Sequence, residues 1–180
     1  SILNYLDISI LFDIIWSDII IIWFASKHAI PTLIFNLIIN KPLVIIAGGF
    51  DVAYVSADWE ISSGIERAEL QGDANLNLIG TLSAEKLVGN SGDNRLVSGG
   101  GSDTLVGADG DDTYVVDSTS DTVTENSSQG TDIIYSSVTF TASNNVEYLT
   151  LTGSSNIDAT GSISDNTLRG NSGSNTLDGK

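Results

Sequence analysis

The chain has 180 residues, with 23 acidic against 7 basic side chains and a formal net charge of −16. Such a field repels phosphates and excludes nucleic acid as a natural partner, whereas cations are the expected counter-charge. With no cysteine and a single histidine, His28, a disulfide framework, a thiolate metal site and a histidine-rich zinc centre are excluded within the chain.

Residues 1–46 are about one-third Ile, hold both prolines (Pro31, Pro42), and carry only Asp7, Asp13, Asp18, Lys27, His28 and Lys41 as titratable side chains. Residues 47–180 hold 20 of the 23 acids and the glycine, so a boundary is placed near Ala47. The apolar run from Ile8 to Phe24 approaches the about 20 residues of a membrane span, but Asp13 and Asp18 each cost about 2.5–3.5 kcal/mol near a helix centre. A basic n-region and a cleavage pattern are both missing, which argues against a secretory signal. Three readings of this segment stay open: a cap on the following β domain, a membrane-associated hairpin, and an unrelated or out-of-frame stretch. The chain starts at Ser1 rather than Met and stops at Lys180 inside a motif that has just restarted, so a piece of a longer protein is expected.

From Gly49 onward the sequence repeats itself. Gly49-Phe50-Asp51-Val52-Ala53-Tyr54-Val55-Ser56 matches Gly130-Thr131-Asp132-Ile133-Ile134-Tyr135-Ser136-Ser137, and Leu87–Gly92 matches Leu168–Gly173, both at an offset of 81 residues. The match fails before Gly49. Inside the long unit runs a period of nine, from Gly80-Thr81-Leu82-Ser83-Ala84-Glu85-Lys86-Leu87-Val88 through units beginning at Gly89, Ser98 and Gly107, and again from Gly161 and Gly170. The arrays span 80–115 and 161–180, joined by a spacer. In the spacer, alternation in Thr122–Glu125, Val138–Thr141 and Leu149–Thr152 predicts half-buried strands that continue the same architecture.

This order of residues resembles the RTX, or hemolysin-type, calcium-binding nonapeptide repeat, G-G-x-G-x-D-x-U-x, over roughly residues 49–180. The resemblance implies an all-β fold, a right-handed parallel β-roll or β-solenoid with an atypical hydrophobic N-terminal segment. Glycines at the first, second and fourth positions are expected to permit positive φ. The eighth position, Leu87, Leu96, Leu105, Tyr114, Leu168 and Leu177, is expected to point inward. Two nonapeptides complete a coil, so alternate turns face each other about 4.8 Å apart: the turn ending at Asn94 against that ending at Asp112, and Glu85 against Asp103.

Acids stacked at that spacing repel by about 3–4 kcal/mol per pair at an effective dielectric near 20, and Ca2+ reverses the sign by taking six to eight oxygens in flexible geometry. Asp103 and Asp112 occupy the acidic sixth position of the resembled repeat and are the first candidate ligands. Asn94, Asn166 and Asn175 offer a neutral oxygen there and Glu85 a longer arm, so weaker binding or a structural role is expected of them. Asp93, Asp109 and Asp111 either assist or are solvated charges. Asp117, Asp121, Glu125 and Asp132 could cap the roll or bind further calcium, but are read first as solvated loop acids. The second array, poor in acids, is read as stacking without metal.

An 18-residue coil buries about two large apolar side chains worth about 1.5–3 kcal/mol each, against about 1–2 kcal/mol of backbone entropy per residue. Calcium-coupled folding is therefore expected. Neither an H-E-x-x-H nor a G-x-S-x-G motif occurs, Gly89-Asn90-Ser91-Gly92 lies in repeat register, and the pairs Asp58/Glu60 and Glu66/Glu69 are what so acidic a chain yields by chance. The expectation is a non-enzymatic calcium-binding structural module of a secreted, bacterial-type protein, exported by the type I route that the resembled family commonly uses. Two alternatives remain: an adhesin or interaction module contacting a cell surface or glycan, and an accessory domain of a secreted enzyme whose catalytic part is absent.

Overall fold

A three-residue extended run with one apolar side chain cannot satisfy its own backbone, so each must pair with a run from another coil. In the computed structural model, which describes residues 49–180, that is the arrangement. The three readings of residues 1–46 lie outside the described residues.

Among the described residues, fifteen parallel-paired strands alternate between two faces. One face begins with a five-stranded sheet of β1 (Val52–Val55), β3 (Arg67–Leu70), β5 (Lys86–Val88), β7 (Thr104–Val106) and β9 (Thr122–Thr124). The other is a seven-stranded sheet of β2 (Trp59–Glu60), β4 (Asn77–Ile79), β6 (Arg95–Val97), β8 (Thr113–Val116), β10 (Ile133–Ser136), β12 (Tyr148–Leu151) and β14 (Thr167–Arg169). A three-stranded sheet of β11 (Phe140–Thr141), β13 (Ala159–Thr160) and β15 (Leu177–Asp178) takes the odd-numbered strands onward. The chain thus winds as a parallel β-solenoid, with no helix among the described residues.

Register places the eighth repeat position on the inside. Leu78, Leu96, Tyr114, Ile134 and Leu149 pair in sequence along one face, and Ala68, Leu87, Leu105 and Val123 along the other. All are buried and belong to one core cluster. The long repeat advances the chain by nine half-coils, an odd number, so its two copies start on opposite faces: β1 lies in the five-stranded sheet and its match β10 in the seven-stranded one. Local bonding nevertheless recurs. The Asp51 N–H donates to Glu66 Oε2 at 2.7 Å, and the Asp132 N–H donates to Glu147 Oε2 at 2.7 Å.

Three expectations need correction. Leu177 is 45% exposed, because β15 has a neighbour, β13, on one side only; Leu168 is half-buried in the edge strand β14. The predicted strand 138–141 shrinks to Phe140–Thr141. There the odd face breaks, and the Val123 and Glu125 carbonyls accept from Ser143 Oγ at 2.7 Å and Asn145 Nδ2 at 3.0 Å instead of from a strand. Finally, first-position glycines are not the ones with positive φ. Positive values fall at the second, third and fourth positions of the Ser98 unit, Gly99 (82°), Gly100 (107°) and Gly101 (101°), and at the fourth position of the Gly107 unit, Gly110 (113°). Gly89 is needed for room rather than for its φ: a Cβ there would strike the Gly107 carbonyl oxygen of the next coil.

Ala108 holds the second position at φ 80°, matching Gly99. A non-glycine residue there costs about 1–2 kcal/mol, partly offset by the greater unfolded-state entropy of glycine, about 0.5–1 kcal/mol. Ala108→Gly is expected to raise stability by about 0.5–1 kcal/mol, read by thermal unfolding in saturating calcium.

Candidate metal centre

Each turn delivers its sixth residue just before a strand, so the side chain sits at the sheet edge where the next coil's turn passes. The structure brings together the turns predicted to face each other. The Glu85 N–H donates to Asp103 Oδ1 at 2.7 Å, and the Asn94 N–H donates to Asp112 Oδ1 at 2.7 Å. Both ladders continue: the Asp103 N–H donates to Asp121 Oδ1 at 3.1 Å, and the Asp112 N–H to Asp132 Oδ1 at 2.8 Å.

Side-chain chemistry divides the sixth positions into two kinds. Asn94, Asn166 and Asn175 turn back into their own turns, accepting from the N–H groups of Asn90, Ser162 and Asn171 at 2.7, 2.6 and 2.9 Å. Glu85 does the same, accepting from the Thr81 N–H at 3.1 Å and from Thr81 Oγ1. Asp103 and Asp112, equal to asparagine in length but without an N–H to donate, reach the neighbouring coil with one oxygen. The other, Oδ2 in each, is buried with no hydrogen-bond partner.

Asp93, Asp109 and Asp111 lie outside this inner ladder, exposed. Asp93 and Asp111 form an outer ladder running in the opposite sense, in which the Asp111 N–H donates to Asp93 Oδ1 at 2.9 Å and the Thr131 N–H to Asp111 Oδ1 at 2.8 Å. Asp109 accepts from Gln129 Nε2 at 2.9 Å.

Among the described residues, one acidic group joins Asp112 to two residues read first as solvated, with further calcium binding as the alternative. Asp112 and Asp132 are each 1% exposed and Glu125 is 7% exposed, and one carboxylate oxygen of each lies within 4.8 Å of the others. Asp121 is also buried, while Asp117 is exposed as expected. Asp121 is, however, fully engaged: it accepts from the N–H groups of Asp103, Asp117 and Ser118. Glu125 is not. Its Oε1 accepts from the Tyr114 hydroxyl, while Oε2 is buried without a partner. The overlooked signal was positional: Asp132 precedes Ile133-Ile134-Tyr135 as Asp112 precedes Thr113-Tyr114-Val115.

Burial raises the pKa of Asp103, Asp112, Glu125 and Asp132, since the charged form is desolvated. Asp112 is pushed to about 8, by burial first and then by repulsion from Glu125 and Asp132. Burial also takes Glu125 to about 7, with repulsion from Asp132 adding to it. On the other edge Asp103 reaches about 7, through burial and then Asp121 and Glu85. Asp132 reaches about 6, through burial and then Glu147 and Asp111. Burial and the neighbouring Glu125 drive the Tyr114 phenol far above its ordinary range, so it stays a donor.

An all-oxygen set with bare, buried carboxylate oxygens fits a hard cation, and calcium best, because its loose geometry accepts carboxylates and turn carbonyls together. Magnesium demands a stricter octahedron and keeps more of its water.

A family model described as the RTX calcium-binding nonapeptide repeat matches four copies, over residues 79–123 and 160–179. Those residues carry that repeat, and they lie within the parallel β-solenoid. Neither the curated proteins nor the solved structures compared with it contain a match.

Proposed function

We propose that residues 47–180 are a non-catalytic, calcium-dependent structural module of a secreted protein, unfolded where calcium is scarce and folded outside the cell where it is abundant. One observation carries this reading: Asp103, Asp112 and Glu125 each bury a carboxylate oxygen that no protein group satisfies. Burying an unpaired charge costs several kcal/mol. A divalent cation converts that cost into attraction, so its binding energy becomes folding energy. Asp103 and Asp112 would supply ligands on the two edges of the roll, with backbone carbonyls of the glycine-rich turns completing the shell. The Asn-centred turns of the second array, closed by their own amides, would hold shape without metal.

Far-ultraviolet circular dichroism of the full chain, titrated with calcium and separately with magnesium at pH 8, tests this. The expected result is a transition from a coil-like to a β-rich spectrum with calcium, at far lower concentration than with magnesium. A spectrum already β-rich in chelator and unmoved by calcium would overturn it.

A further inference from the structure

The turn between β9 and β10 departs from the repeat twice. Coil-to-coil register steps by 18 residues from Arg95 to Thr113 but by 20 from Thr113 to Ile133, so this turn carries two extra residues. Its first residue is also not glycine. Val88 pairs with Val106 and Val106 with Thr124, so Gly89, Gly107 and Glu125 are successive occupants of one position on one edge.

At that position the coils leave no space for an ordinary side chain. A Cβ added to Gly107 would meet Asp112 Oδ2, Tyr114 Oη and Glu125 Oε1. The Glu125 carboxylate therefore lies in the space that Gly107 keeps open, beneath the turn that ends in Asp112. Tyr114, at an inward position where its neighbours in register are Leu96 and Ile134, holds Oε1. Oε2 of Glu125 and Oδ2 of Asp112 remain buried and unpartnered, and Asp132 adds a third carboxylate from the far end of the long turn.

Resting on the calcium reading above, we infer that Glu125 makes the junction between the first array and the spacer a calcium site of its own. Asp112, Glu125 and Asp132 hold one ion there. This site differs from a repeat rung because two of its three carboxylates come from the spacer turn and one stands in place of the repeat's glycine. The ion ties the 107–112 turn to the 125–132 turn, so that order in the nonapeptide array passes into the spacer despite the change of register. Tyr114 is a positioning residue: it fixes one Glu125 oxygen and leaves the other for the ion.

Bound ions per chain, measured by equilibrium dialysis with calcium, and terbium emission sensitised by tyrosine test this in the full chain. Glu125→Gln should lose one ion per chain and most of the tyrosine-sensitised emission. Tyr114→Phe should lose that emission while keeping the ion count. Asp103→Asn, on the opposite edge, should keep the emission. Glu125→Gly restores the repeat's own residue and guards against misfolding: it should keep the β-rich spectrum in calcium and still bind one ion fewer. An unchanged ion count in both Glu125 variants overturns the inference and leaves the calcium reading standing. No calcium or terbium uptake by the parent chain overturns both.

Discussion

Acid should stand in for calcium. Metal-free protein is expected to be coil-like at pH 8 and to gain the β-rich far-ultraviolet spectrum as the pH falls towards about 5. Asp112, Asp103, Glu125 and Asp132 have folded-state pKa values of about 8, 7, 7 and 6, each raised chiefly by burial. In the unfolded chain such groups titrate near 4. Between about pH 4 and about pH 8 the folded state therefore binds more protons than the unfolded state, and stability falls as pH rises. Below about pH 4 the four acids are neutral in both states and this penalty vanishes; above about pH 8 it is complete. Protons and calcium compete for the same oxygens, so calcium binding near pH 7 should release protons. Calorimetry in buffers of different ionisation enthalpy reads that release. Metal-free protein that stays coil-like at pH 5, or is equally β-rich at pH 8, would show that the buried charges are not what holds the fold open.

What the sequence revealed, and what it hid, follows from the nine-residue register. Leu87, Leu96, Leu105 and Tyr114 were readable as core because a turn plus a three-residue strand allows one inward side chain per unit. The facing of Glu85 with Asp103 and of Asn94 with Asp112 followed from two units per coil, and the bonds from the Glu85 and Asn94 N–H groups to the Asp103 and Asp112 carboxylates agree. Legibility stopped where the register did. The long turn shifts Asp132 by two residues relative to a nonapeptide, and Glu125 replaces the glycine that would have marked the position, so both looked like ordinary loop acids. The Glu125 carboxylate lies in the space at Gly107, a three-dimensional fact with no local signature. The role of the first-position glycine was likewise hidden, since composition signals conformational freedom and close approach in the same way. The two kinds of sixth residue differ in donor chemistry: an Asn amide donates as well as accepts and can close its own turn, as Asn94 does with Asn90, whereas an ionised aspartate of the same length cannot donate.

That difference allows folding to be separated from calcium. Replacing Asp103 and Asp112 together by asparagine should stabilise the metal-free protein and weaken its response to calcium. Asparagine keeps an oxygen for the Glu85 and Asn94 N–H groups and removes the buried negative charge. The chain already tolerates asparagine at the sixth position in Asn94, Asn166 and Asn175. Leaving a buried charged group unsatisfied costs about 1–3 kcal/mol or more, so relief at two sites should raise the melting temperature in chelator by several degrees. In saturating calcium the order should reverse, with the variant melting below the parent because the ligands on both edges have lost their charge. Its calcium midpoint should rise at least tenfold, whereas Asn175→Ala should leave the midpoint where it was. A double variant less stable than the parent in both conditions would mean that Asp103 and Asp112 act as hydrogen-bond acceptors alone. The crossing of the two melting orders is the result that only a charge waiting for a cation produces.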